Sequence, residues 1–332
     1  MINPEENPEF LNDFLAYNST ILNKSENTIK EYNYDLAHFL KYISFKYKLT
    51  DVKDEEFIKK IKINNFDLKT LEKISLPDIH SFLSYLKTCY NCKPATLARK
   101  TASIKVFFKY MCNKTKKIPT NPAQDLETPK IGKRLPKYLT LEESKELLEA
   151  TASLEGHGNH DNAERNFAMI TILLNCGVRL SELVGINISD IDFENNKMNV
   201  IGKGDKERTI YLNNACMKAI NKYLEVRPRD GVKFNSRDAL FLSEQKKRIS
   251  KRTVQYIVKN ELRNAGIEKA NTYSVHKLRH TAATLMYKYG NVDIRALQEL
   301  LGHESISTTE IYTHVDNEQI RNAVENNPLA NL

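Results

Sequence analysis

Six residues in the C-terminal part of the chain carry side chains that handle a phosphate ester: Arg179, Lys203, His276, Arg279, His303 and Tyr312. Two arginines, a lysine and two histidines around one tyrosine make a poor metal site and a good phosphate site. Guanidinium groups grip phosphate oxygens bidentately and stay charged at any relevant pH. A tyrosine within reach of that phosphate can attack it and become covalently attached. Such an attack has three requirements. Charge on two non-bridging oxygens must be neutralised, the nucleophile must be aligned, and the departing oxygen must receive a proton. Arg179 and Arg279 suit the first requirement as fixed donors aimed at developing charge.

Each residue also has an ordinary structural reading. Arg179 can simply pair with Glu182, three positions on. Lys203 sits between two glycines, where a solvated turn lysine is common. No GxxxxGK[ST] string is present, so this is not a nucleotide-binding loop. His276 and Arg279 share a helix face. His276 and His280 also have a zinc spacing, but Lys-Leu-Arg between them supplies no glutamate base, and two cations beside a dication are unfavourable. His280 therefore reads as a structural histidine. Tyr312 is one of sixteen tyrosines, so its type alone does not single it out.

The strings around these residues decide the matter. CGVRLSEL, IGKGDKER, HKLRHTAAT, LGHESI and TTEIYTHV resemble, in order and spacing, the tyrosine recombinases of the phage-integrase and Xer-type branch. The resemblance runs from about Leu135 to the C-terminus and more loosely through the N-terminal part. It implies a 3′-phosphotyrosyl intermediate with Tyr312 as nucleophile and Arg179 and Arg279 as phosphate clamps. It makes His276 the proton acceptor or phosphate donor, Lys203 the general acid on a hairpin, and His303 a further phosphate donor. Glu182 falls at the accessory acidic position. The resemblance implies no metal and no cofactor. The expected partners are a double-stranded DNA recombination site and a homotetramer, or a heterotetramer with a second recombinase, on two DNA sites. The tail NEQIRNAVENNPLANL is similar to the segment that docks on a neighbouring protomer in this family. Two rivals are a type IB topoisomerase-like enzyme and a catalytically silent DNA-binding regulator of the same fold. The Xer-like strings and the docking tail argue against the first, and the intact residue set argues against the second.

The elements that must position these residues read as mainly α. Ser25 opens a helix through Leu36, Phe39, Leu40 and Ile43. Leu76-Pro77-Asp78 opens another, since proline is tolerated in a first turn. Pro94 to Met111 forms a third, with Leu97, Ile104, Phe107 and Phe108 as its apolar face and Arg99, Lys100 and Lys105 on the more polar side. Residues 44–74 are highly charged and read as a long insertion of one or two marginal helices. Residues 119–137 carry Pro119, Pro122, Pro129 and Pro136, a density that reads as an extended linker. The expected organisation is residues 1–118 as a helical DNA-clamp domain of SAM-like type, then the linker, then a catalytic domain over 138–332. That domain opens with a capping box at Thr140-Leu-Glu-Glu143. It has an apolar helix ending at Gly177, and a small antiparallel sheet around Gly202-Lys203-Gly204-Asp205.

DNA contacts are expected from Arg99, Lys100 and Lys105 on the clamp helix, and from Lys206 and Arg208 on the hairpin. KKRISKR, at residues 246–252, adds Arg248, Lys251 and Arg252 where a helix begins. The excess of 50 Lys+Arg over 42 Asp+Glu agrees with a nucleic-acid partner, although Lys- and Asn-rich composition arises from AT-rich coding as well. Five scattered cysteines imply no disulfide framework, and Cys89-Tyr-Asn-Cys92 lacks a second pair to complete a metal site. MINPEENPEF is too acidic and polar for a signal peptide. No apolar run approaches the ~18 residues of a membrane helix. The expected setting is the cytoplasm.

Overall fold

The computed structural model describes residues 3–52, 55–130, 132, 137–153, 160–202, 207–290, 292–302 and 309. The chain divides into two compact units, Met1–Lys133 and Arg134–Leu332.

The first unit is helical among its described residues: α1 (Glu9–Ala16), α2 (Glu26–Lys46), α3 (Leu68–Glu72), α4 (Leu76–Tyr90) and α5 (Pro94–Lys109). Local signals start them where expected. The Ser25 hydroxyl accepts from the Thr28 N–H at the head of α2, and the Asp78 carboxylate accepts from the Ser75 N–H at the head of α4. Leu36, Phe39, Leu40 and Ile43 recur at helical spacing and are all buried. Phe14, Phe82, Phe107 and Phe108 complete the aromatic centre of the core.

Residues 44–74 hold two short helical segments, within the one or two marginal helices read from the sequence, and they pack into the unit's core. α2 continues to Lys46, a 3₁₀ helix spans Glu55–Lys60, and α3 follows. Ile58, Ile61, Ile63, Phe66, Leu71 and Ile74 are buried in the unit's core. The charges that dominate this stretch mask an apolar set too irregular to show one period. The proline-rich stretch is likewise partly built in. Ala123 and Leu126 join the same core, and Lys105 Nζ donates to the Leu126 carbonyl at 2.8 Å.

The second unit holds α6 (Leu141–Ala152), α7 (His160–Cys176) and α8 (Leu180–Gly185), then the strands β1 (Ile191–Asp192), β2 (Lys197–Ile201) and β3 (Glu207–Tyr211). Helices α9 (Asn214–Val226), α10 (Lys251–Asn264), α11 (Val275–Tyr289) and α12 (Ile294–Leu301) follow. The sheet is antiparallel in the order β1-β2-β3, with Met198 opposite Ile210 and Ile201 opposite Glu207. Met198, Val200 and Ile210 face the core while Ile201 and Tyr211 are exposed, the alternation that defines a half-buried sheet. The capping box at Thr140 is reciprocal. Its hydroxyl accepts from Glu143 N–H at 3.1 Å, and the Glu143 carboxylate accepts from Thr140 N–H at 2.7 Å. Gly177, at φ +58°, ends α7 in the left-handed region, and a Cβ there would stand 3.1 Å from Leu301 Cδ2. That close approach lets α12 lie beside the end of α7. The architecture is mainly α with one small antiparallel sheet, as the sequence led us to expect.

Candidate active site

The segment Gly177-Val178-Arg179 leaves α7 and enters α8 at once, so Arg179 stands at the helix entry. Glu182, one turn into α8, turns back onto it. Its Oε2 accepts from the Arg179 N–H at 2.7 Å, and its Oε1 accepts from Arg179 Nη1 at 2.7 Å. The same carboxylate accepts a third hydrogen bond from a second cation, Arg208 Nη2 on β3, at 2.8 Å. The Glu182 side chain has no exposed surface. Burial pushes its carboxyl up, but the hydrogen bonds from Arg208 and Arg179 outweigh this and hold it below the usual carboxylate range.

Arg279 comes from the first turns of α11 and is 2% exposed. Its Nη1 donates to the Gly177 carbonyl at 2.6 Å and its Nη2 to the Leu301 carbonyl at 2.6 Å. Arg179 Nη2 donates to the neighbouring Gly302 carbonyl at 2.5 Å, and Arg208 Nη1 donates to the Leu300 carbonyl. Three consecutive carbonyls at the end of α12 thus receive three different arginines. Helix C-terminal carbonyls lack intrahelical donors and carry the negative end of the dipole, so guanidinium groups are apt partners there. Gly302 makes the approach possible. It adopts φ +64°, and a Cβ on it would meet Arg208 Cδ at 2.9 Å.

His276 sits one turn before Arg279 on α11. Loss of solvent lowers its pKa first, and the charges of Arg279 and Arg179 lower it further. Both effects favour the neutral imidazole, the form able to accept a proton. His280 packs edge-on against it with ring centroids 4.5 Å apart, and burial, then His276, brings its pKa down to about 4. Among the described residues no group of three or more His, Cys, Asp or Glu is placed to hold a metal ion.

Arg179, His276 and Arg279 line one concavity of about 390 Å³, together with Val178, Leu180, Gln255, Ser274 and Val275. Gln255 from α10 and Ser274 at the entry of α11 went unremarked in the sequence, because nothing local distinguishes an exposed glutamine or an N-terminal serine from its peers. A larger cavity, about 730 Å³, lies in the first unit among residues such as Asn33, Lys41 and Lys60. It contains none of the predicted catalytic residues, and we place the chemistry in the smaller one. Lys203, Lys206, His303 and Tyr312 lie outside the described residues.

The structure shows how the residues expected at the DNA surface are engaged within the protein. Lys100, read as polar-face, is 3% exposed, with Nζ 2.8 Å from Asp35 Oδ1. Arg99 Nη1 pairs with the same carboxylate at 2.6 Å, while its side chain keeps 39% of its surface exposed. Lys105 is held by the Leu126 carbonyl. Arg248 is engaged too. Its Nη1 donates to the carbonyls of Val184, Gly185 and Ile186 at 2.9, 2.9 and 3.1 Å, satisfying the end of α8. Arg208 points inward to Glu182 and α12. Lys251 and Arg252 remain exposed in the first turn of α10.

Comparison with known proteins agrees with this geometry. The sequence model described as the phage integrase family matches residues 137–319. The tyrosine recombinase XerC of Caldanaerobacter subterraneus subsp. tengcongensis is 51% identical over 323 residues, 97% of this chain and 88% of that protein. The tyrosine recombinase XerD of Listeria monocytogenes serovar 1/2a is 34% identical over 92% of this chain and 94% of its own length. Among solved structures, the XerH site-specific recombinase bound to palindromic difH substrate, a post-cleavage complex, superposes with a TM-score of 0.71. It is 26% identical, with 92% of this chain and 81% of that chain covered. The chain belongs to the phage integrase family, as a tyrosine recombinase of the Xer type.

Proposed function

We propose that this chain recombines double-stranded DNA at specific sites through a 3′-phosphotyrosyl link, with Tyr312 as the attacking residue. The observation that carries the reading is the convergence of Arg179, Arg279 and His276 on one concavity. The Arg179 side chain keeps 30% of its surface exposed, so N–H groups beyond those bound to Glu182 and Gly302 can meet a phosphate. His276 accepts the phenol proton or donates to a phosphate oxygen. Lys203 protonates the leaving 5′ oxygen, and His303 adds a hydrogen bond to the phosphate. The ester stores the bond energy, so the 5′ hydroxyl of a partner duplex can reverse the step without a nucleotide cofactor.

The first unit serves as the DNA clamp and the second as the catalytic domain. Lys251 and Arg252 contact the DNA backbone at the head of α10, and Lys206 does so from the hairpin. Two rounds of strand exchange between two sites call for four protomers, alike or of two kinds, working in the cytoplasm. Chromosome-dimer resolution, with its place in chromosome partition and cell division, and mobile-element integration both run on this chemistry. The DNA site distinguishes them.

The test begins with fragments that the protein selects from its own chromosome. A duplex of the selected sequence, nicked beside the cleavage position, should trap a detergent-stable protein–DNA adduct. Two intact sites should then exchange flanking DNA. Relaxation of supercoils without exchange would indicate a topoisomerase, and binding without adduct a silent regulator.

A further inference from the structure

We propose that Arg208 is a positioning residue for the cleavage reaction and not a DNA contact. The proposal rests on the recombinase reading of the same site. Arg208 is the second residue of β3 and its side chain is 13% exposed. Nη2 reaches the Glu182 carboxylate at 2.8 Å, and Nη1 reaches the Leu300 carbonyl. Its Nε is buried with no hydrogen-bond partner among the described residues. A guanidinium so enclosed has little surface left for a phosphate of the duplex.

Its two contacts lead to two parts of the machinery. Glu182 fixes Arg179 by backbone and side chain at once. Leu300 begins the three-carbonyl turn that also receives Arg279 and Arg179 and that ends at Gly302, next to His303 in the sequence. Arg208 therefore bridges the acid that orients one clamp and the turn on which both clamps rest. Without it, Glu182 is held by Arg179 alone, and the α12 end loses one of its three donors. Gly302 packs directly on the Arg208 stem, where an added Cβ would stand 2.9 Å from Arg208 Cδ.

A backbone DNA contact and a positioning role differ in measurable ways. Removing a phosphate contact weakens binding and flattens its salt dependence by about one unit of slope. Removing a positioning group leaves both and slows the step after binding. Arg208→Ala and Arg208→Lys should be assayed on the nicked duplex described above, with affinity, its salt dependence and single-turnover adduct formation at saturating protein. We expect affinity within threefold of the parent, an unchanged salt slope, and adduct formation slowed on the order of 100-fold in Arg208→Ala. Arg208→Lys, which can still reach Glu182 with one charge, should recover part of the rate.

Arg208→Ala combined with Glu182→Gln should be no more than about threefold slower than the slower single variant, because both remove one linkage. Additive losses would overturn the proposal, as would a lowered salt slope or a normal rate in Arg208→Ala. If Arg208→Ala fails to fold, Arg208→Lys and Arg208→Gln carry the same comparison. Absence of any Tyr312-dependent adduct in the parent protein would overturn the recombinase reading and this proposal together. An adduct in the parent with an unaffected Arg208→Ala overturns this proposal alone.

Discussion

Glu182 and Arg179 are locked by two hydrogen bonds, backbone N–H to Oε2 and Nη1 to Oε1, both 2.7 Å. One carboxylate thus fixes where the chain enters α8 and where its guanidinium points. Glu182→Gln keeps the shape but removes a buried anion between two arginines, which typically costs about 1–3 kcal/mol. Cleavage should fall on the order of 100-fold while DNA affinity stays within a few-fold. The pH dependence follows from the lowered carboxyl pKa. The stability Glu182 contributes is fully present above the usual carboxylate range, near pH ~4.3, and is lost as pH falls through its folded value. Urea midpoints at pH 7 and below 4 should converge between parent and Glu182→Gln on the acid side. Parallel curves would remove Glu182 from the acid response.

Tyr312→Phe deletes only a hydroxyl. Binding to the selected site should be unchanged, and the covalent adduct should vanish on a gel run in detergent. Persistence of the adduct would move the nucleophile elsewhere.

Lys203→Ala separates proton donation from binding. A normal 5′-oxygen leaving group needs a proton, whereas a 5′-bridging phosphorothiolate leaves as a thiolate unaided. The variant should lose on the order of 10²–10⁴-fold on the oxygen substrate and little on the sulfur one. Equal losses would make Lys203 a binding residue.

Charge neutralisation by Arg179 and Arg279 should make cleavage insensitive to excess chelator on a pre-bound site. Arg279 spans two carbonyls with separate nitrogens, 2.6 Å each. Arg279→Lys therefore loses the fork while keeping the charge, and we expect at least a 100-fold drop in cleavage. Loss of cleavage in chelator, restored by Mg²⁺, would require a metal in the mechanism.

His38 in the first unit supplies a separate pH response. It packs edge-on against Phe82 and Tyr90, with centroids 5.5 and 5.4 Å apart. Burial first, then the charge of Lys100, brings its pKa down to about 4. The unfolded histidine takes up a proton near pH ~6.5 and the folded one does not. Stability therefore falls as pH drops from 6.5 toward 4. Hydrogen exchange of α2 amides should accelerate over that window, and His38→Phe should flatten the change. An unchanged slope in His38→Phe would assign the response to another group.

Much of the fold was legible because its signals are local. Ser25 and Thr140 cap helices through atoms three residues away, and the β2–β3 alternation needs only a period of two. The strings around Arg179 and Arg279 likewise marked a phosphate site without any coordinates. Which cations would serve that site was not legible, since each answer depends on a partner far along the chain. Lys100 meets Asp35 across 65 residues and Arg208 meets the α12 turn across 92. Arg248 meets the end of α8 across 62 to 64. A buried cation must find an anion or a row of carbonyls, because an unpaired charge away from water is too costly to keep. The sequence determined most of the helices and the β2–β3 pairing, and it marked the candidate reacting groups. Only the tertiary structure decided which basic side chains hold the machinery together and which remain exposed.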